Sequence, residues 1–238
     1  MSWNKDTDII ASKLRGTSGE KVKLTVARDK QKLDFELIRE KINNVSADVS
    51  YQDKTAIISV YRFGEETGKL VESFAKEFKN KGINKVILDL RNNGGGYVKA
   101  ARDLLSLWLD GEKILIQKSS SAGQNITYAK RGEAILKDMK TIVLVNNATA
   151  SASEIVAGAL KDHKKATILG SKTYGKGVVQ TILELSGGTL LKVTTAHWYT
   201  PDNQTINKTG ITPDIEVDRS YQDVNTGKDP QLDKAKAL

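Results

Sequence analysis

Short apolar runs of strand length alternate with segments of helical periodicity from about residue 43 onward. The runs 86–90 (VILDL) and 141–145 (TIVLV) are almost continuously apolar, as parallel strands covered on both faces are. Over 70–78, 98–109 and 155–160, apolar residues recur every three or four positions, as they do on one face of a helix. This alternation predicts an α/β fold in which helices pack on a layered mixed sheet. Further strands are predicted at 45–51, 56–60, 114–116, 178–185 and 190–198, and the last two are expected to complete the sheet.

The first 41 residues have a different pattern. Residues 6–15 are predicted to form a short helix, and residues 22–37 a hairpin with one buried face. One helix and one hairpin are too small to make a core. We therefore expect this segment to dock on the rest of the chain or to be the end of a domain whose beginning is absent. The predicted domains are 1–41 and 42–238. The polar tail from residue 220 is predicted to be loosely held, apart from a possible last turn at 231–237.

Composition excludes several classes of function. The 238 residues include no cysteine, which excludes cysteine nucleophiles, zinc–thiolate sites, iron–sulfur clusters and disulfides. His163 and His197 are the two histidines, so neither a metal site nor a cofactor is predicted. No apolar run approaches the ~20 residues of a membrane span, and the N-terminus does not have the pattern of a signal peptide. The net charge of +8 comes from scattered lysines without interleaved aromatic residues, which argues against nucleic-acid binding.

Two strand-to-helix junctions carry the residues best suited to chemistry. In residues 89–96 (DLRNNGGG), three consecutive glycines let backbone N–H groups approach an anion or a polarised carbonyl, although a tight turn alone also explains them. Ser151 lies where a second buried strand meets a helix, whose free N–H groups can stabilise a developing oxyanion. Ser151 followed by Glu154 is also a capping box, which accounts for both residues without catalysis.

A serine nucleophile needs a general base, and the chain offers three candidates. His163 lies 12 residues after Ser151, ~18 Å along a continuous helix, so a position near a helix C-terminus explains it better. His197 is next to Trp198 on a predicted strand; a packed surface position explains it, and a role as the base stays open. Lys176 is flanked by glycines and followed by apolar residues, so its amine can lose its hydration and act as a neutral base.

Five segments, in this order and spacing, carry a resemblance to a known family. The chain resembles the C-terminal processing proteases, also called tail-specific proteases. The segments that carry this resemblance are 89–96 (DLRNNGGG), 149–154 (TASASE), 175–180 (GKGVVQ), 199–201 (YTP) and 210–214 (GITPD). The resemblance runs from about residue 42 to the end. It implies a crotonase- and Clp-protease-like catalytic core. It also implies a serine endopeptidase with a Ser–Lys dyad that cleaves protein substrates near apolar, unstructured C-termini.

The resemblance also implies roles for individual residues. Ser151 matches the nucleophile of the family and Lys176, 25 residues later, matches its base. Gln180 matches the residue that orients the lysine. Residues four apart on a strand lie ~13 Å apart, so Gln180 can contact Lys176 only if the chain turns at the glycines beside the lysine. The oxyanion donors are expected to be backbone N–H groups of the following residues: Gly95 or Gly96, and Ala152.

Residues 6–40 resemble the last part of the PDZ domain that precedes the catalytic core in this family. Its carboxylate-binding loop and first strands are not in the chain, so we expect a fragment of a longer protein with impaired substrate capture. The resemblance implies an extracytoplasmic location, in a periplasm, a lumen or the cell exterior. Two other functions stay open: a non-catalytic peptide-binding or scaffold protein, and a crotonase-like acyl-transfer or hydratase enzyme whose glycine loop polarises a thioester.

Overall fold

Two compact units, Met1–Asn44 and Val45–Leu238, make up the computed structural model of the chain. The residues that the structure describes are 7–28, 30–40, 45–119, 123–185 and 189–238. The domain boundary predicted between residues 41 and 42 lies outside them, as do Asp6 of the predicted first helix and Asp29 of the predicted hairpin turn.

The first unit contains one helix and one hairpin. Helix α1 spans Thr7–Leu14, and strands β1 (Lys21–Arg28) and β2 (Gln31–Ile38) pair in antiparallel register. The prediction that one face of the hairpin is buried is wrong: no residue of either strand is buried, and Phe35 is 43% and Leu37 47% exposed. One helix and two strands cannot enclose that apolar face. The interpretation of this unit as the end of a PDZ domain stays a prediction.

The second unit is built on a mainly parallel sheet. Among the described residues, its strands are β3 (Ala47–Gln52), β4 (Thr55–Val60), β5 (Lys85–Asp89), β8 (Lys140–Val145), β9 (Thr167–Gly170) and β12 (Ile215–Glu216). They lie in the order β12-β9-β8-β5-β4-β3, and β3 alone of these six runs antiparallel to its neighbour. The predicted α/β class with a layered mixed sheet is confirmed.

Helices cover one face of this sheet: α2 (Thr67–Phe78), α3 (Val98–Leu105) and α4 (Ala152–Asp162). Because successive side chains of a strand point to opposite faces, Val86 and Leu88 of β5 join the large core beneath these helices, while Ile87 belongs to a second cluster. Helix α3 ends four residues earlier than predicted, and Trp108 and Leu109 follow it in a turn in which they are still buried.

The second cluster is covered by a helix near the end of the chain. Helix α5 (Tyr221–Asn225) precedes helix α6 (Pro230–Ala237), whose Ala235 is fully buried in this cluster and whose Leu232 packs against it. The prediction of a loosely held tail from residue 220 is therefore wrong, whereas the possible last turn predicted at 231–237 lies within α6. Ala235 and Leu232 are the apolar residues of α6 in this cluster, so the helix packs although the segment is polar overall.

Four strands form a separate antiparallel sheet in the order β10-β11-β6-β7: β6 (Lys113–Ser119), β7 (Gly123–Tyr128), β10 (Val178–Glu184) and β11 (Leu190–Tyr199). The prediction that residues 178–185 and 190–198 complete the main sheet is wrong. Strand β12 occupies the edge beside β9, and the β10–β11 hairpin pairs with β6 instead. The alternating pattern that identifies a hairpin does not determine which strand it joins.

Candidate active site

Ser151 lies where β8 leads into α4, directly before the first helical residue. Its backbone has φ 57° and ψ −119°, a conformation that costs a non-glycine residue on the order of 1–3 kcal/mol. Hydrogen bonds offset this strain: the Ser151 N–H donates to Oε2 of Glu154 at 2.9 Å, and the Ser151 carbonyl accepts from the Ile155 N–H at 3.0 Å. The turn holds the partly exposed serine at the positive end of the helix.

The glycine loop, residues 94–96, lies directly against Ser151. A Cβ atom on Gly95 would come within 2.8 Å of the Ser151 Cβ and within 2.9 Å of the Ala152 nitrogen. The φ of Gly95, 103°, also favours glycine. The missing side chain is therefore what allows the backbone of the loop to reach the serine.

The N–H groups predicted to bind an oxyanion differ in their hydrogen bonds. The Gly95 N–H donates to Oδ1 of Asn93 at 2.8 Å, so it is engaged within the loop. Within the described part of the chain, the N–H groups of Gly96 and Ala152 have no acceptor. Of the three predicted donors, these two are free to bind a ligand oxygen.

Lys176 lies in the segment between β9 and β10, where two backbone hydrogen bonds hold it. Its N–H donates to Oε2 of Glu154 at 2.9 Å, and its carbonyl accepts from Nε1 of Trp198 at 2.9 Å. The Ser151 N–H donates to the same Oε2, also at 2.9 Å. The backbone nitrogens of Ser151 and Lys176 therefore lie at most 5.8 Å apart, which is twice 2.9 Å.

Glu154 is fully buried and accepts four hydrogen bonds. Its Oε1 accepts from the Thr173 hydroxyl at 2.6 Å and from the Gly175 N–H at 2.7 Å, while its Oε2 accepts from Ser151 and Lys176. Four bonds are the full acceptor capacity of an ionised carboxylate. From the sequence, Glu154 is predicted only as a capping-box partner. Its one signal there, a glutamate three residues after a serine, fits a helix cap equally well.

A cavity of about 310 Å³ opens beside Ser151. Gly96, Lys176 and Gln180 line it together with the serine, so four of the six predicted site residues share one cavity. The other residues that line it are apolar: Val98, Leu115, Ile155, Val178, Val179 and Trp198. This lining suits an apolar side chain of a ligand.

Gln180 lies on β10, whereas Lys176 precedes that strand. The register of β10 and β11 shifts between Val179 and Gln180. Gly177 permits the close approach of another segment here, since a Cβ on it would lie 2.6 Å from the backbone nitrogen of Asn207. Among the described residues, no hydrogen bond joins the side chains of Lys176 and Gln180, and the orienting role of Gln180 stays a prediction.

Neither histidine is among the residues that line this cavity. His163 follows the last residue of α4, where its Nε2 donates to the carbonyl oxygen of Lys113 at 2.7 Å. His197 is exposed on β11, opposite Val178. Of the three candidate bases, Lys176 is the one that shares a cavity with Ser151.

The model of peptidase family S41 matches residues 54–217, which include all six predicted site residues. The chain belongs to peptidase family S41. Over 93% of its length, this S41 chain is 38% identical to a "Probable CtpA-like serine protease" of Staphylococcus aureus strain N315. It is 36% identical, over the same share, to a relative of the same name from Staphylococcus haemolyticus strain JCSC1435. The S41 chain spans 45% of the length of each of these curated relatives.

Two solved structures resemble the S41 chain. The photosystem II D1 C-terminal processing protease matches with a TM-score of 0.73 and 29% identity, over 85% of this chain and 57% of that one. Mature CPAF matches with a TM-score of 0.61 and 13% identity, over 99% of this chain and 62% of that one. At 13% identity the second likeness shows the fold alone.

The described residues of this S41 chain contain no group of three or more histidine, aspartate or glutamate side chains that could hold a metal ion. In the same part of the chain, no helix is long and apolar enough to cross a membrane. The polar side chains that line the cavity are those of Ser151, Lys176 and Gln180, which carry a hydroxyl, an amine and an amide.

Proposed function

We propose that the chain is a serine endopeptidase that cleaves protein substrates near an apolar, unstructured C-terminus through a dyad of Ser151 and Lys176. The observation that carries this proposal is the shared oxygen of Glu154. It keeps the two backbone nitrogens within 5.8 Å of each other (twice 2.9 Å), and both residues line one cavity. Membership of peptidase family S41 and the CtpA-like relatives support the same class of reaction.

In the proposed mechanism, the Ser151 hydroxyl attacks the scissile carbonyl carbon. Lys176, as a neutral amine held in orientation by Gln180, takes the hydroxyl proton and returns it to the leaving amine. Water then hydrolyses the acyl-enzyme by the same exchange of protons. The oxyanion accepts hydrogen bonds from the N–H groups of Gly96 and Ala152 at the positive end of α4. Removing one such donor costs about 2.7–4 kcal/mol of transition-state stabilisation.

The substrate preference in this proposal comes from the cavity. Its apolar wall, which includes Leu115 and Ile155, supports binding of an apolar side chain next to the scissile bond. Because the chain spans 45% of its curated relatives, two further features belong to the proposal by resemblance. They are capture of the substrate by a PDZ domain, of which residues 6–40 are the last part, and action outside the cytoplasm.

Mass spectrometry of an unfolded test protein with an apolar C-terminal tail tests the proposal. The protein is incubated with wild type, with Ser151→Ala and with Ser73→Ala, which removes an exposed hydroxyl from α2. Defined peptides are expected from wild type and Ser73→Ala, and none from Ser151→Ala. Intact substrate in all three would overturn the proposal and favour a non-catalytic peptide-binding protein. Equal cleavage in all three would mean a different nucleophile.

A further inference from the structure

The start of α6 contacts Arg91, in the segment between β5 and the glycine loop. Asp229 caps this helix, since its Oδ1 accepts from the Leu232 N–H at 3.0 Å. The same oxygen accepts from Nη1 of Arg91 at 2.8 Å, and Oε1 of Gln231 accepts from that Nη1 at 3.0 Å. Gln231 is itself buried, and its Nε2 donates to the Val217 carbonyl at 2.8 Å. The start of α6 therefore holds the Arg91 side chain.

Arg91 is held from the other side by Asp89, the last residue of β5. Its Nε donates to Oδ1 of Asp89 at 2.9 Å and its Nη2 to Oδ2 at 2.6 Å. The Arg91 side chain is 9% exposed, and the second oxygen of Asp229 pairs with Arg219 at 3.3 Å. Burial works to lower the pKa of Arg91, but hydrogen bonds to the two carboxylates outweigh it and raise that pKa. The cation is thus largely removed from solvent and paired with two carboxylates.

Two residues separate Arg91 from the glycine loop. The second of them, Asn93, is fully buried: its Oδ1 accepts from the Gly95 N–H at 2.8 Å, and its carbonyl accepts from the Ala150 N–H at 3.0 Å. Arg91 is therefore connected, through one short stretch of backbone, both to the loop and to the residue before Ser151. A displacement of Arg91 would shift these groups together.

We propose that Asp229 and Gln231 are positioning residues for the candidate oxyanion site, because they fix Arg91 and through it the glycine loop against Ser151. This inference rests on the proposed function. Both residues lie beyond the region matched by the family model, 54–217. They act through Arg91, and the contacts that carry the inference are partly buried side-chain hydrogen bonds.

Asp229→Asn, compared with Asp233→Asn, tests this inference. Asparagine keeps an oxygen that can cap α6 but loses the charge that pairs with Arg91, while Asp233 is an exposed carboxylate of the same helical turn. For hydrolysis of a peptide with an apolar C-terminus, we expect Asp229→Asn to lower kcat about tenfold and to change KM less than about twofold. Amide hydrogen exchange of residues 92–96 is expected to become about tenfold faster. Asp233→Asn is expected to match wild type in both measurements.

The inference would be overturned if the amides of residues 92–96 exchanged at the same rate in Asp229→Asn and Asp233→Asn. It would also be overturned if Asp229→Asn lost no more activity than its unfolded fraction accounts for. If wild type shows no Ser151-dependent hydrolysis, the proposed function fails, while the exchange rates still decide whether α6 positions the loop. If Asp229→Asn does not fold, Gln231→Met takes its place. This substitution removes the hydrogen bonds of Gln231 with Arg91 and with the Val217 carbonyl, and it leaves the ion pairs of Arg91 with Asp89 and Asp229 intact. The same two outcomes decide it.

Discussion

Replacement of Glu154 by glutamine is expected to destabilise the fold and to loosen the connection between the candidate nucleophile and the candidate base. An amide has one acceptor oxygen where the carboxylate has two, so two of the four donors around Glu154 would face an NH₂ group. Hydrogen bonds to a charged group contribute about 1.5–3 kcal/mol each. Losing two of them lowers the free energy of unfolding by about 3–6 kcal/mol, a large part of the roughly 5–15 kcal/mol typical of a folded protein.

Urea unfolding followed by circular dichroism measures this loss. The control is Glu77→Gln, which removes an exposed ion pair with Lys81 on the surface of α2, worth about 1 kcal/mol or less. The folded fraction of Glu154→Gln is also expected to hydrolyse a peptide at least about tenfold more slowly, because Ser151 and Lys176 no longer share a charged acceptor. A free energy of unfolding within about 1 kcal/mol of wild type would refute the reasoning.

Two further variants test the loop and the helix behind it. Gly95→Ala is expected to abolish peptide hydrolysis, because its Cβ would lie 2.8 Å from the Ser151 Cβ; Gly94→Ala, whose Cβ meets no atom within 4 Å, is expected to retain most of the activity. Burial works to raise the pKa of Asp229, but hydrogen bonds from Arg91 and the start of α6 outweigh it and hold that pKa below the ordinary value of an aspartate. Asp229 therefore contributes stability above about pH 4 that is lost as the pH falls through its folded pKa. Urea midpoints measured from about pH 5 to about pH 2 are expected to fall less steeply in Asp229→Asn than in wild type; equal slopes would contradict this.

The parallel strands of the second unit could be predicted because strands covered on both faces need apolar side chains on both. The runs 86–90 and 141–145 meet that condition, and they are the centre of the observed sheet. Strands β9 and β12 have four and two residues, too few to show a period. The pairing of β10–β11 with β6 could not be predicted either, since it depends on which sheet edges are already occupied.

The packing of α6 could not be predicted from the sequence, for a different reason. The helix contributes few apolar side chains, and its attachment depends on Arg91, Asp229 and Gln231. In a chain with 28% charged residues, such residues are expected on the solvated surface. Only the structure shows that Gln231 is buried, and that Asp229 and Gln231 bind Arg91 across 138 and 140 residues of sequence.

Those residues of the candidate site that belong to short sequence motifs could be predicted. Ser151 and Lys176 occupy motif positions, and both line the same cavity. The choice between Gly95 and Gly96 could not be made from the sequence, because it depends on the side chain of Asn93. The four hydrogen bonds of Glu154 come from residues spread over 25 positions of the chain, so no local pattern reveals them.

Hydrolysis of a peptide with an apolar C-terminus by Lys176→Ala tests the central claim most directly. The controls are Lys172→Ala, which changes an exposed lysine of the same segment, and His197→Ala, which removes the competing base. A general base contributes about 10²–10⁴-fold to the rate, and members of a dyad act as a unit. Lys176→Ala is therefore predicted to lose about 10²–10⁴-fold in kcat/KM, as Ser151→Ala does, while both controls stay near wild type. Most of the activity retained in Lys176→Ala, with loss in His197→Ala, would contradict the claim.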